Sequence, residues 1–137
     1  MDTSSMKKLM EEESQIEIKM VGALQRFGFT IQKQVKIGKY RVDILIEGRD
    51  CDLVVECDGA EFHTDQEKEK ERDEYLIKLG YSVMHLTGSE IYRKADYHAF
   101  RIADRYFPEL WQTEQYKKFE ESEKQINKED IDEYSDY

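Results

Sequence analysis

Two apolar runs near the middle of the chain carry acids where a buried strand would not be expected to hold them: Val42-Asp43-Ile44-Leu45-Ile46 and Leu53-Val54-Val55-Glu56-Cys57-Asp58. Side chains alternate faces along a strand. Val42, Ile44 and Ile46 are therefore expected on one face, and Arg41, Asp43 and Leu45 on the other. By the same rule Glu56 and Asp58 project to one side. Gly48 lies in the turn between the runs, so they pair as a hairpin that brings Asp43 beside Glu56.

The pattern around this hairpin supplies the remaining elements. Ile16, Met20, Leu24 and Phe27 recur at spacings of three and four, which predicts a helix from about Lys7 to Phe27, ended by Gly28. Thr30 to Val35 reads as a first strand, Gly38-Lys39 as a turn, Tyr40 to Glu47 as a second strand and Asp52 to Asp58 as a third, with Gly59 permitting a sharp exit. Asp65 to Leu79 is a polar helix with charges of both signs at helical spacing, apolar only at Tyr75, Leu76 and Leu79, and capped by Gly80. Tyr81 to Leu86 is a fourth strand. Thr87-Gly88-Ser89-Glu90 reads as a capping box that opens a helix to about Phe107, striped by Tyr97, Phe100, Ala103 and Tyr106 and stopped by Pro108. Trp111 to about Ile126 is a further helix, docking through Trp111, Tyr116 and Phe119. The closing NKEDIDEYSDY has little to bury and is expected to be mobile. The order αβββαβ plus C-terminal helices predicts an α/β fold, a four-stranded mixed sheet flanked by helices. One domain is expected over 1–112, followed by an acidic extension over 113–137 that is partly helical or mobile.

Charge and composition sharpen this picture. The 137 residues suit a modest core, with 39% hydrophobic and 38% charged residues. The net charge is −10, and the extension, with nine acids and four lysines, contributes −5 of it. Phosphate affinity comes largely from Lys and Arg, so this balance disfavours a freestanding, high-affinity DNA binder. It does not disfavour a metal-dependent enzyme, whose carboxylates are negative before the metal arrives. No apolar run reaches the roughly 20 residues of a membrane span, and the N-terminus lacks the apolar region of a secretory signal. Cys51 and Cys57 lie too far apart along an extended chain to bridge within it, and are read as reduced and structural in a cytoplasmic protein.

The crowded carboxylates Asp43, Glu56 and Asp58 repel each other and are costly to bury. A hard divalent cation removes that cost, and oxygen donors on neighbouring strands suit Mg²⁺. Other residues stay open between two readings. Glu17 is either a solvated helix acid or an acid leaning over this site. Lys33, Lys36, Lys39 and Arg41 are either a solvated face or a cradle for the phosphates of a substrate strand. His63 is either a surface histidine or a general base.

These residues resemble the PD-(D/E)xK restriction-endonuclease-like superfamily and, within it, the very-short-patch-repair endonuclease group. The resemblance rests on Glu17; on Tyr40-Arg41-Val42-Asp43; on the segment from Glu56 through Asp58 and Gly59 to His63; and on Arg72-Asp73 with Leu76, Gly80, Tyr81 and Val83. It covers roughly residues 14 to 92. His63 lies one residue beyond the usual spacing, and Asp58 stands where the superfamily usually has lysine. The resemblance implies a restriction-endonuclease-like core and metal-dependent hydrolysis of DNA phosphodiesters. It implies that Asp43, Glu56 and the backbone carbonyl of Cys57 hold Mg²⁺ or Mn²⁺, with Asp58 and Glu17 completing the site and His63 handling a proton. Lys36, Lys39, Arg41 and Arg72 are then candidate contacts to the substrate, although Arg72 is equally suited to pair with a neighbouring acid such as Asp73 or Glu69.

Three functions are consistent with these residues. The first is an active DNA endonuclease, the cutting subunit of a larger repair, mobile-element or phage-defence system. A protein partner or a homodimer would then supply specificity. The second is an inactive nuclease-fold module that serves as an interaction subunit. The third is an ordinary α/β domain whose hairpin acids pair with Lys33, Lys36 and Arg41.

Overall fold

The computed structural model describes the backbone of residues 3–58 and 66–134 and the side chains of residues 15–58 and 66–126. The first helix, α1, spans Thr3–Phe27. Three strands follow: β1 (Ile31–Ile37), β2 (Tyr40–Glu47) and β3 (Asp52–Asp58). Helix α2 (Gln66–Lys78) crosses to β4 (Ser82–Thr87), which runs directly into α3 (Gly88–Tyr106). A 3-10 turn at Pro108–Leu110 leads to α4 (Glu114–Tyr134).

The sheet has the order β1-β2-β3-β4. The β1–β2 and β2–β3 pairs are antiparallel, while β3–β4 is parallel, as the helical crossover requires. The fold is α/β with a four-stranded mixed sheet flanked by helices, as the pattern of apolar positions predicts. The bounds of β2 and β3 match the expected ones, and β1 runs two residues further, to Ile37.

The sheet buries both faces. On one side Ile44, Ile46, Leu53, Val55 and Cys57 pack with Met20, Leu24 and Phe27 of α1 and with Ile91, Ile102 and Ala103 of α3. On the other side Ile37, Val42, Leu45 and Val54 pack around Leu76 of α2. Burying a side chain of this size stabilises by roughly 1.5–3 kcal/mol, so this inner layer dominates the fold. The Thr87 hydroxyl accepts the Glu90 backbone N–H at 3.2 Å, and the Glu90 carboxylate accepts from the Thr87 backbone, forming the expected capping box.

The structure departs from the sequence expectations in four places. Val42 does not share a face with Ile44 and Ile46: it packs in the α2 cluster while they pack against α1. The β1–β2 register, Lys33↔Ile44 and Val35↔Val42, sets Gln34 opposite Asp43. Gln34 has φ +50, so the change of face in β2 lies beside a left-handed residue of its neighbour β1. The α3 stripe also differs. Phe100 and Ala103 are buried as expected, but the inward face continues through Ile91, Ala95, Ala99 and Ile102 and not through Tyr97, while non-helical dihedrals at Lys94 kink the helix. Trp111 precedes α4 instead of opening it, and it is 44% exposed, with its indole N–H donating to the Ala103 carbonyl at 3.0 Å. Finally, α4 continues to Tyr134, past the expected end near Ile126. Residues of high helix propensity and pairs such as Glu120–Lys124 at 3.2 Å favour that continuation.

Candidate functional site

The acids meet where the sheet changes its packing. The β2–β3 register Ile44↔Val55 places Asp43 opposite Glu56, and the β3–β4 register pairs Glu56 with His85. Gln34, Asp43, Glu56 and His85 thus form a row across the four strands. Asp58, two residues along β3, projects on the same side as Glu56.

Asp43 is held from two directions. Its Oδ2 accepts the backbone N–H of Cys57 at 2.9 Å, and its Oδ1 accepts from Gln34 Nε2 at 3.3 Å. The same nitrogen donates to both carboxylate oxygens of Glu17 at 3.0 Å. Burial raises the pKa of Glu17, Asp43 raises it further, and the Gln34 hydrogen bond opposes the shift.

Glu56 is a charged residue buried in the core, only 4% exposed. Its Oε1 accepts from Arg72 Nη2 at 2.5 Å, and that nitrogen also donates to the Arg41 carbonyl at 2.7 Å. Burial and the adjacent Asp43 outweigh the guanidinium and push the Glu56 carboxyl up to about 8. Helix α2 is positioned for this contact by Leu76, which is fully buried, and by Tyr75, whose ring meets Tyr40 edge-on at 5.3 Å. The Cys57 thiol is pushed up by burial and by the surrounding carboxylates, which makes it a packing group and not a thiolate ligand.

His85 sits between two further acids. Its Nδ1 lies 2.8 Å from Asp58 Oδ2 and its Nε2 lies 2.7 Å from Asp73 Oδ2. These hydrogen bonds, that to Asp58 foremost, hold the imidazole up at about 9 against the opposing effect of burial. The protonated imidazole is thereby favoured, set between two acids.

Two sets of donors could hold a metal. Asp43 and Glu56 face each other beside the carbonyl-bearing backbone of Cys57. Asp58, Glu69 and His85 each offer one ligand atom, all within 4.8 Å of one another.

The structure brings together Glu17, Asp43, Glu56, Asp58 and Arg72 from the residues singled out in the sequence. Arg72 meets Glu56. Lys36, Lys39 and Arg41 are exposed on the β1–β2 hairpin, with Lys36 and Arg41 directly opposite each other. His63 lies outside the described residues. Sequence reasoning missed Gln34, His85 and Asp73 as parts of the site. The parallel register of β3 and β4 carries the signal for His85, because it places that residue beside Glu56.

The family model REase_MTES_1575, a restriction endonuclease-like family, matches residues 17–105. The matched stretch starts at Glu17 and includes every site residue described above. No curated protein and no solved structure matches the chain. Among the described residues, no helix is long and apolar enough to cross a membrane.

Proposed function

Because the chain belongs to the restriction endonuclease-like family REase_MTES_1575, we propose that it is a divalent-metal-dependent endonuclease that hydrolyses DNA phosphodiester bonds. The observation that carries this reading is the pair formed by the half-buried Asp43 and the buried Glu56. Two carboxylates set opposite each other in the sheet, one pushed up to about 8 by burial and by its neighbour, form a site that a cation stabilises.

The donors fit a hard ion. Asp43, Glu56 and the Cys57 carbonyl would hold Mg²⁺ or Mn²⁺. Bound there, the ion supplies Lewis acidity, lowering the pKa of a coordinated water and offsetting charge on the transferring phosphoryl group. The remaining groups act around it. Glu17 and Asp58 flank the pair and orient water through their carboxylates. The His85 imidazole neutralises Asp58 where the wider superfamily places a lysine, and His63 is a second candidate for moving a proton. Lys36 and Arg41 support a phosphate-facing role, because like charges directly opposite each other in a ladder repel unless an anion lies between them. Lys39 extends the same hairpin tip. Arg72 holds Glu56 and, were a cation to satisfy that carboxyl instead, would be available to a substrate phosphate.

The kinship with the very-short-patch-repair group rests on the Glu56–His63 segment and on Arg72-Asp73. The acidic balance, −10 over the chain, favours a cutting subunit whose DNA affinity comes from a protein partner or a second copy. One observation favours a second reading. Arg72 already neutralises Glu56, as it would in a nuclease-fold module that has lost its metal and works as an interaction subunit.

The test is cleavage of supercoiled plasmid and of a single-stranded oligonucleotide with Mg²⁺, Mn²⁺ or EDTA, beside Asp43→Ala. Metal-dependent cutting lost in the variant supports the nuclease. Neither cutting nor metal binding by calorimetry moves the protein to the inactive module.

A further inference from the structure

We propose that Gln34 is a positioning residue that clamps the carboxylates of Glu17 and Asp43 into one unit; its consequence for cleavage rests on the nuclease reading above. Three observations converge on it. The first is conformational. Gln34 has φ +50, the left-handed region that glycine or asparagine occupies far more readily than glutamine. The second is that its side chain is exposed, so packing does not explain a long residue at a strained position.

The third is the use of its carboxamide. One Nε2 donates to both oxygens of Glu17 at 3.0 Å and to Asp43 Oδ1 at 3.3 Å. The other Asp43 oxygen is fixed by the Cys57 N–H at 2.9 Å. Without a donor between them, the acid from α1 and the acid from β2 would repel each other. A lysine could bridge them, but its charge would compete with a cation for the same oxygens. A carboxamide orients both carboxylates and leaves their charge intact for the ion. The left-handed backbone lies opposite Asp43 in the ladder, at the point where the alternation breaks, and that break sets the amide between β2 and α1.

The experiment compares the full-length chain with Gln34→Gly, Gln34→Asn, Glu17→Ala and the double variant Glu17→Ala/Gln34→Gly. Each is measured by thermal unfolding without metal, by Mn²⁺ calorimetry and by plasmid cleavage. Glycine takes the left-handed conformation freely, so Gln34→Gly is expected to fold with no loss of Tm beyond the coupling to Glu17. Its Mn²⁺ affinity and its kcat are each expected to fall roughly 10- to 100-fold, the size typical of lost orienting contacts, with KM for DNA unchanged. Gln34→Asn, which keeps a shorter carboxamide, is expected between the two. Glu17→Ala is expected to add nothing in the Gln34→Gly background, because the clamp has already released it.

Wild-type affinity and cleavage in Gln34→Gly would overturn the proposal, as would additive losses in the double variant. An unaltered chain that neither binds Mn²⁺ nor cuts DNA overturns the nuclease reading instead. The clamp is then judged by metal-free unfolding alone: non-additive Tm changes support it and additive ones overturn it.

Discussion

Nη2 of Arg72 lies 2.5 Å from Oε1 of Glu56, so helix α2 reaches across to an acid buried in the sheet. The contact gives the guanidinium and a bound cation a common target. Arg72→Ala is expected to destabilise the metal-free protein by about 1–3 kcal/mol, because it leaves the buried Glu56 carboxyl without the donor it meets at Oε1. The loss is expected to shrink when Mn²⁺ is present, since the ion then satisfies Glu56. Thermal unfolding of both proteins with and without Mn²⁺ measures this. Equal losses in the two conditions would mean that ion and guanidinium do not share Glu56.

Removing a candidate ligand acid tests the site more directly. Asp43→Asn keeps the shape and the Cys57 contact while discarding the charge. Cleavage is expected to fall at least about 100-fold, beyond the range typical of supporting residues, with stability within about 1 kcal/mol of wild type or above it, because Glu56 loses a repelling neighbour. A folded Asp43→Asn that cuts normally would remove Asp43 from the chemistry.

His85 links β4 to β3 and α2 through Asp58 and Asp73 at 2.8 and 2.7 Å. His85→Ala removes the shared imidazole and leaves Asp58 and Asp73 facing each other. A destabilisation of roughly 2 kcal/mol is expected, in line with the loss of hydrogen bonds to charged groups. His85→Lys restores the charge and is expected to recover part of it. A variant in which alanine and lysine behave alike would show that the charge of the imidazole is immaterial.

Stability should fall as pH rises. The fold raises Glu56 from 4.5 to about 8 and His85 from 6.5 to about 9, so in both cases it favours the protonated form. Such a contribution is fully present below the unfolded pKa and is lost as pH climbs through the folded one. In metal-free buffer, Tm is therefore expected to decline across the window from 4.5 to 9 set by these two groups. Mn²⁺ should raise Tm more at the alkaline end, where it meets an ionised Glu56. Differential scanning calorimetry across this window is the check, and a Tm that climbs with pH would contradict the environment assigned to Glu56.

The framework of the fold was legible in the chain because its signals are local. The apolar runs of β2 and β3 set their own bounds, and Thr87 to Glu90 carries its capping box within four residues. Asp43 beside Glu56 followed from a hairpin with a short turn. The face of Val42 was not legible, because strict alternation assigns it to the side of Ile44 and Ile46, and no glycine marks the left-handed residue at Gln34 across the ladder. His85 was not legible because its partners lie 12 and 27 residues away and meet it only once β3 and β4 pair in parallel. Site residues drawn together by tertiary register leave no periodic trace in a single sequence.

The hairpin tip ties the fold to the site, and it yields a last test. Gly38 turns β1 into β2 with φ +59, and a Cβ at that position would collide with the Tyr75 hydroxyl. Tyr75 packs on Tyr40, and Arg72 lies one helical turn before it on α2, with its guanidinium 5.9 Å from the Tyr40 ring centre. Gly38→Ala therefore does two things: it strains the turn, and it pushes α2 away from the sheet. Gly80 provides the control, because its φ is +99 but no atom lies within 4 Å of where a Cβ would stand, so Gly80→Ala meets strain alone. Gly80→Ala is expected to cost about 1 kcal/mol and to leave cleavage unchanged, whereas Gly38→Ala should cost about 2 kcal/mol or more. Gly38→Ala should also lower cleavage, through the displaced Arg72 and Glu56. Chemical denaturation and plasmid cleavage on both variants separate the two effects. If Gly38→Ala lost stability but cut at the wild-type rate, α2 would be a support for the sheet with no share in holding the site.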